Sequence, residues 1–224
     1  MHPLTLRRLS GYAAIAAGPL CILGGMLHPI DDGHAHNASA LASDHTLGST
    51  ALLAGTVLLL VGLPGVYGWA APRMGKLGLV GYLLYFVGNL LNAIPHLVIM
   101  GFAGHHLAHE HPEVIADNEV ILDAPAFEVE QVVTGFGFIL GLLLFSIALV
   151  RAQGMPRWIG WVGVASALIL FVPLPVVPVL TGLQIELLRG VLIVALGVLT
   201  VRSVRPGPGS ERDDRAASVP AAAR

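Results

Sequence analysis

Stretches of about twenty predominantly apolar residues recur along this chain, and a helix needs roughly that length to cross the hydrocarbon core of a bilayer. Six can be read, over 11–30, 46–71, 77–104, 132–150, 158–180 and 181–201. Lipid offers no hydrogen bonds to bare backbone, so spans of this kind must be helical. The composition agrees: 55% of the 224 residues are hydrophobic and 12% charged, against roughly 25% charged in a soluble domain. The sequence therefore predicts an all-α polytopic bundle of six transmembrane helices and excludes a water-soluble globule.

The spans differ in kind. The first three carry no charge. In the fifth, Pro173, Pro175 and Pro178 remove backbone donors and end regular helix early. Thr181 and Gln184 fit a capping box that restarts the sixth. Arg7 and Arg8 ahead of an apolar run also suit a signal peptide, but the run is longer than the usual core of about 7–15 residues. Leu20 before Cys21 is too large for a lipoprotein cleavage site, so a retained membrane helix is expected.

Charge orients the bundle. With six spans, Arg7, Arg8, Arg73, Lys76, Arg151, Arg157, Arg202, Arg205, Arg212, Arg215 and Arg224 fall on one side. The remaining cation, Arg189, lies inside the sixth span, and the opposite loops hold none. Cytoplasmic loops attract Lys and Arg, so both termini are expected in the cytoplasm of a cell-membrane protein. The tail 203–224, rich in Pro, Ser and Ala, is expected to be a disordered cytoplasmic extension.

Gly78–Gly81 reads GLVG and Gly160–Gly163 reads GWVG, each after a Pro-Arg turn. Duplicated hairpins or ordinary interfacial anchoring by Arg and aromatics both account for this. MPRWIGWVG at 155–163 resembles a cytoplasmic-turn motif of uncharacterised small multi-pass membrane proteins common in actinobacteria. The resemblance covers that turn and the six-span pattern. It implies an integral membrane protein and carries over no catalytic residue.

The polar residues gather on the outer side. Eight of ten histidines lie in or beside the outer loops, among them His28, His34, His36, His45, His105, His106, His109 and His111. Asp31, Asp32, Asp44, Glu110, Glu113, Asp117, Glu119, Asp123, Glu128 and Glu130 accompany them. Imidazole and carboxylate are the usual ligands of a divalent transition metal such as zinc. His105 and His109 share a helical face, and Glu113 is four further on, beyond Pro112. The candidate ligands are His28, His45, His96, His105 and His109. The competing account is that loops denied Lys and Arg keep His and acids as solvated polar residues. No HExxH motif decides between them.

Within the third span Asn89, Asn92 and His96 fall on one stripe, with His96 about 12 Å below the outer surface if the helix ends near Gly104. Such groups face a bundle interior or a cavity, or simply bond helix to helix. A haem needs a second deep histidine, which His28 and His45 do not supply. In the sixth span Glu186 and Arg189 form a self-neutralising pair near the outer end with Arg189 snorkelling outward, or Arg189 faces Glu128, Glu130 or an anionic ligand. The single cysteine, Cys21, excludes a disulfide framework, and a net charge of −2 gives no case for nucleic acid. Two functions remain: a structural or interaction module, or an outward-facing metal- or small-ligand-handling protein. The second predicts a pocket between spans one, two, three and six, with Asn89, Asn92, Glu186 and Arg189 as its polar groups.

Overall fold

The computed structural model describes residues 3–31, 38–115 and 125–204. Among the described residues four helical stretches are long and apolar enough to cross a membrane: Pro3–Met26, Thr46–Glu110, Pro125–Arg151 and Leu180–Arg202. The 65-residue stretch is two helices, because Gly75 breaks it with φ 60° and ψ −160°. That left-handed value suits glycine, which has no Cβ to clash. The helices are α1 (Pro3–Met26), α2 (Ala38–Ala42), α3 (46–74), α4 (76–110), α5 (Pro112–Ile115), α6 (Pro125–Arg151), α7 (Arg157–Ile169) and α8 (Leu180–Arg202). The chain is an all-α bundle, and its apolar helices mark an integral membrane protein.

Glycines set the helix pairing. A Cβ on Gly18 would stand 2.6 Å from the Gly190 carbonyl oxygen, and Gly11 and Gly25 meet Gly197 and Gly182 in the same way. As numbers rise along α1 they fall along α8, so the two helices are antiparallel. On its other side α1 meets α3 antiparallel, Gly24 against Gly48 and Ala14 against Gly62. Between α4 and α6, Gly81 touches Phe145 and Gly88 touches Phe138. Gly160 of α7 touches Val150 of α6. Without a hydrophobic force between helices in lipid, this close approach is what holds them together.

Each long neighbour in sequence thus runs opposite to the one before, and the two ends of the bundle differ in charge. Arg7, Arg8, Arg73, Lys76, Arg151, Arg157 and Arg202 sit at one end, where Arg8 and Arg73 lie over Tyr12 and Trp69 at 5.7 and 5.6 Å. The other end carries His28, His45, His105 and His109. There α2 packs on α4 through Leu41, Met100 and Ala108.

Several boundaries differ from the sequence expectation. α1 begins at Pro3 and takes in Arg7 and Arg8, and α6 begins at Pro125 rather than 132. Polar residues extend a helix out of the apolar window without breaking its hydrogen bonds. α4 runs on to Glu110, so His96 lies about 21 Å from its end at 1.5 Å per residue, not about 12 Å. Its two π-helical turns, Asn89–Ala93 and Ile99–Gly104, flank Pro95 and absorb the bond that proline cannot make. α7 stops at Ile169, well before its proline-rich sequel. The capping box does not form. Thr181 bonds the Val177 backbone, while Gln184 Nε2 donates to the carbonyls of Ile169 and Val172, tying off the end of α7. The tail from 205 and His34 and His36 lie outside the described residues.

Candidate functional site

α8 buries two charged side chains, one turn apart, within its apolar length. Glu186 and Arg189 are 5% and 3% exposed. Arg189 Nε donates to Glu186 Oε2 at 2.8 Å, and Nη2 donates to Oε1 at 2.6 Å. Nη1 crosses to Asn89 Oδ1 on α4 at 3.1 Å, and Asn89 in turn donates to the Tyr85 carbonyl at 2.7 Å. The Phe138 ring lies 5.5 Å from the guanidinium carbon. Of the alternatives open in the sequence, this is the self-neutralising pair, held in the core and not snorkelling. Buried charges survive only when paired and hydrogen-bonded, and this pair meets both conditions.

Beside the pair is a cavity of about 420 Å³. Its polar lining comes from Glu186 and Arg189 on α8, Asn92 and His96 on α4, Gln131 on α6, Thr56 on α3, and His28 just beyond α1. Asn92 Nδ2 donates to the Gln131 carbonyl at 3.0 Å and to its Oε1 at 3.1 Å. Gln131 Nε2 donates to Glu130 Oε2 at 2.7 Å and its side chain also meets His96. Leu52, Ala93, Leu97, Val132, Phe138 and Ile185 complete an apolar wall.

A second cavity of about 20 Å³, room for about one water, is shared by His28, His45 and His96. Beyond it the rings of His45, His105 and His109 stack edge to face, with centroids 4.8 and 4.7 Å apart. Nδ1 of His28, His45 and His105 each meets a backbone carbonyl, of Pro29, Ser43 and Leu41, at 3.1, 2.7 and 2.8 Å. A carbonyl only accepts, so Nδ1 carries the proton and Nε2 is the ring's acceptor. His45 is 4% exposed and its Nε2 has no hydrogen-bond partner among the described residues. Burial pulls His28 and His45 below the usual histidine pKa, outweighing the backbone carbonyls that favour the cation.

No family model, curated protein or solved structure matches this chain.

The five candidate metal ligands divide between the two places. His28 and His96 line the large cavity; His45, His105 and His109 form the outer stack, with His45 also reaching the small cavity. Among the described residues no three His, Cys, Asp or Glu come together as a group that holds a metal ion. His111 ends α4, so Glu113 lies past the break and pairs with His111 at 3.3 Å instead of joining His109. Of the pocket polar residues, Asn92, Glu186 and Arg189 line the large cavity, and Asn89 sits behind Arg189. Gln131 and Thr56 are the lining residues that sequence reasoning passed over. Gln131 stands one residue before an apolar window that begins at 132, where a polar residue reads as loop. A lone threonine in an apolar run carries no signal beyond its own hydroxyl, which here bonds the Leu52 carbonyl.

Proposed function

We propose that this is a six-span cell-membrane protein with both termini in the cytoplasm, and that it holds a small ligand in the cavity between α3, α4, α6 and α8, just beyond the end of α1. The separation of Arg-rich and His-rich ends supports the orientation, since cations are retained on the cytoplasmic side. The antiparallel order of neighbouring helices, with α7 and its proline-rich sequel as the fifth crossing, supports the count.

One observation carries the ligand reading. A purely structural account explains Glu186, Arg189 and Asn89, which satisfy one another in the core. It explains the Asn92–Gln131 bonds between α4 and α6 as well, but not the cavity of about 420 Å³ left open beside them and lined by Asn92, His96 and Gln131. A mostly apolar cavity of roughly 300–1,000 Å³ with a few convergent polar groups is the ordinary form of a small-molecule site.

Native mass spectrometry of the protein released from lipid nanodiscs tests this. Ala93→Phe places a ring in the cavity wall. The wild type should carry a defined small-molecule adduct that Ala93→Phe lacks. Identical spectra from the two folded proteins, with no adduct on either, would return the polar residues to a structural role.

A further inference from the structure

The lining of the large cavity narrows what it accepts and from where. Its charges are already spent: Glu186 and Arg189 neutralise each other, and Asn89 takes Nη1 of the guanidinium. An incoming carboxylate or ammonium would give up its hydration without meeting an uncompensated countercharge, which is strongly unfavourable. Neutral donors of the lining are largely engaged with one another and with the helices. Asn92 gives both amide hydrogens to Gln131, Gln131 gives one of its own to Glu130 and its side chain meets His96, and Thr56 gives its hydroxyl to Leu52. For Asn92 and Thr56 what remains beyond these bonds is acceptor: the Asn92 amide oxygen, and the lone pairs of the Thr56 hydroxyl, which also meets Cys21.

The walls point to the route. Val132 of α6 and Ile185 of α8 line the cavity and are also 53% and 41% exposed on the bundle's surface. α7, the helix between α6 and α8 in the chain, ends at Ile169, whose carbonyl is held by Gln184 one residue before Ile185. Towards the His-rich end from that level α7 is succeeded by the non-helical, proline-bearing segment 170–179, so no helix closes this side.

We propose that the cavity takes a neutral amphiphile, an apolar chain bearing a single hydroxyl head, which enters sideways from the lipid between Val132 and Ile185. The hydroxyl donates to Asn92, and the chain lies along Leu52, Val132, Phe138 and Ile185. This rests on the reading that the cavity binds a small ligand.

The test uses full-length protein in phosphatidylcholine nanodiscs with two photoreactive probes of equal chain length, a diazirine-bearing hexadecanol and its carboxylate counterpart. Crosslinked peptides are mapped by mass spectrometry. The alcohol should label the segments holding Asn92, Val132 and Ile185 saturably, and unlabelled hexadecanol should displace it. Asn92→Leu should weaken that labelling about fivefold, the size of one hydrogen bond. Ile185→Trp and Val132→Trp, which narrow the entrance from either side, should each reduce it, while Val191→Trp on a distant lipid-facing part of α8 should not. Equal saturable labelling by both probes, or a preference for the carboxylate, would overturn the neutral-hydroxyl class while leaving ligand binding standing. Saturable labelling indifferent to both entrance variants would overturn the lateral route. Non-saturable labelling, unchanged by Asn92→Leu as well, would overturn both this proposal and the ligand reading beneath it.

Discussion

Arg189 of α8 and Asn89 of α4 are joined across the core of the bundle, Nη1 donating to Oδ1 at 3.1 Å, with both residues almost completely buried. This bond links the fixed Glu186–Arg189 pair to the π-helical turn that carries Asn92 towards the cavity. The charged pair therefore braces the wall of the neighbouring cavity.

Removing one member of a buried pair strands the other. Arg189→Met should destabilise the folded protein by about 3–5 kcal/mol, and Glu186→Leu by a similar amount. The double variant should recover much of that loss, because no charge is left unpaired. Arg189→Lys should not rescue, since an ammonium cannot reproduce the two-pronged contact. Thermal melting of the four proteins in one detergent measures all of this; a double variant as unstable as the sum of the singles would contradict it.

The α1–α8 seam depends on absent side chains. Gly18→Ala drives a methyl into the Gly190 carbonyl and should cost about 1–3 kcal/mol through overpacking. Gly68→Ala in α3, where an added Cβ meets nothing within 4 Å, should be neutral or should stabilise by about 0.5–1 kcal/mol. A lower melting temperature for Gly18→Ala and an unchanged or higher one for Gly68→Ala are expected.

Acid should loosen the His-rich end. The folded-state pKa of His45 and of His28 lies below the unfolded value near 6.5 because burial disfavours the cation. The unfolded chain then binds protons first, so their contribution to stability is present above pH of about 6.5 and is lost as pH falls from there. The charged groups around His45 are His105, which works against the cation, and Asp44, which favours it. Melting temperature should drop between pH 7.5 and 5, and less so in His45→Gln. An unchanged slope in that variant would remove His45 as the cause.

The division of the chain into apolar helices was legible because lipid imposes its length on the sequence. Where that constraint lapses, legibility fails. Nothing in an apolar window marks that α1 starts at Pro3 or that α6 reaches back to Pro125. Thr181 and Gln184 match a capping pattern, yet Gln184 serves the carbonyls of Ile169 and Val172, partners that only packing supplies. Asn92, His96, Glu186 and Arg189 stood out as polar residues at membrane depth. Gln131 did not, because its place is fixed by pairing with Asn92 from thirty-nine residues away. His28, His105 and His109 shared an outer-loop composition, and only the fold sets His28 beside His96 at the cavity and leaves His105 and His109 in the outer stack.

Which end of the bundle faces outward is read most directly by single-cysteine labelling on intact cells. In a Cys21→Ser background, Ser39→Cys beside the histidine-rich end should react with a membrane-impermeant maleimide added outside. Ser210→Cys, beyond α8, should react only after the cells are permeabilised. Modification of Ser210→Cys from outside, with Ser39→Cys protected, would contradict the account.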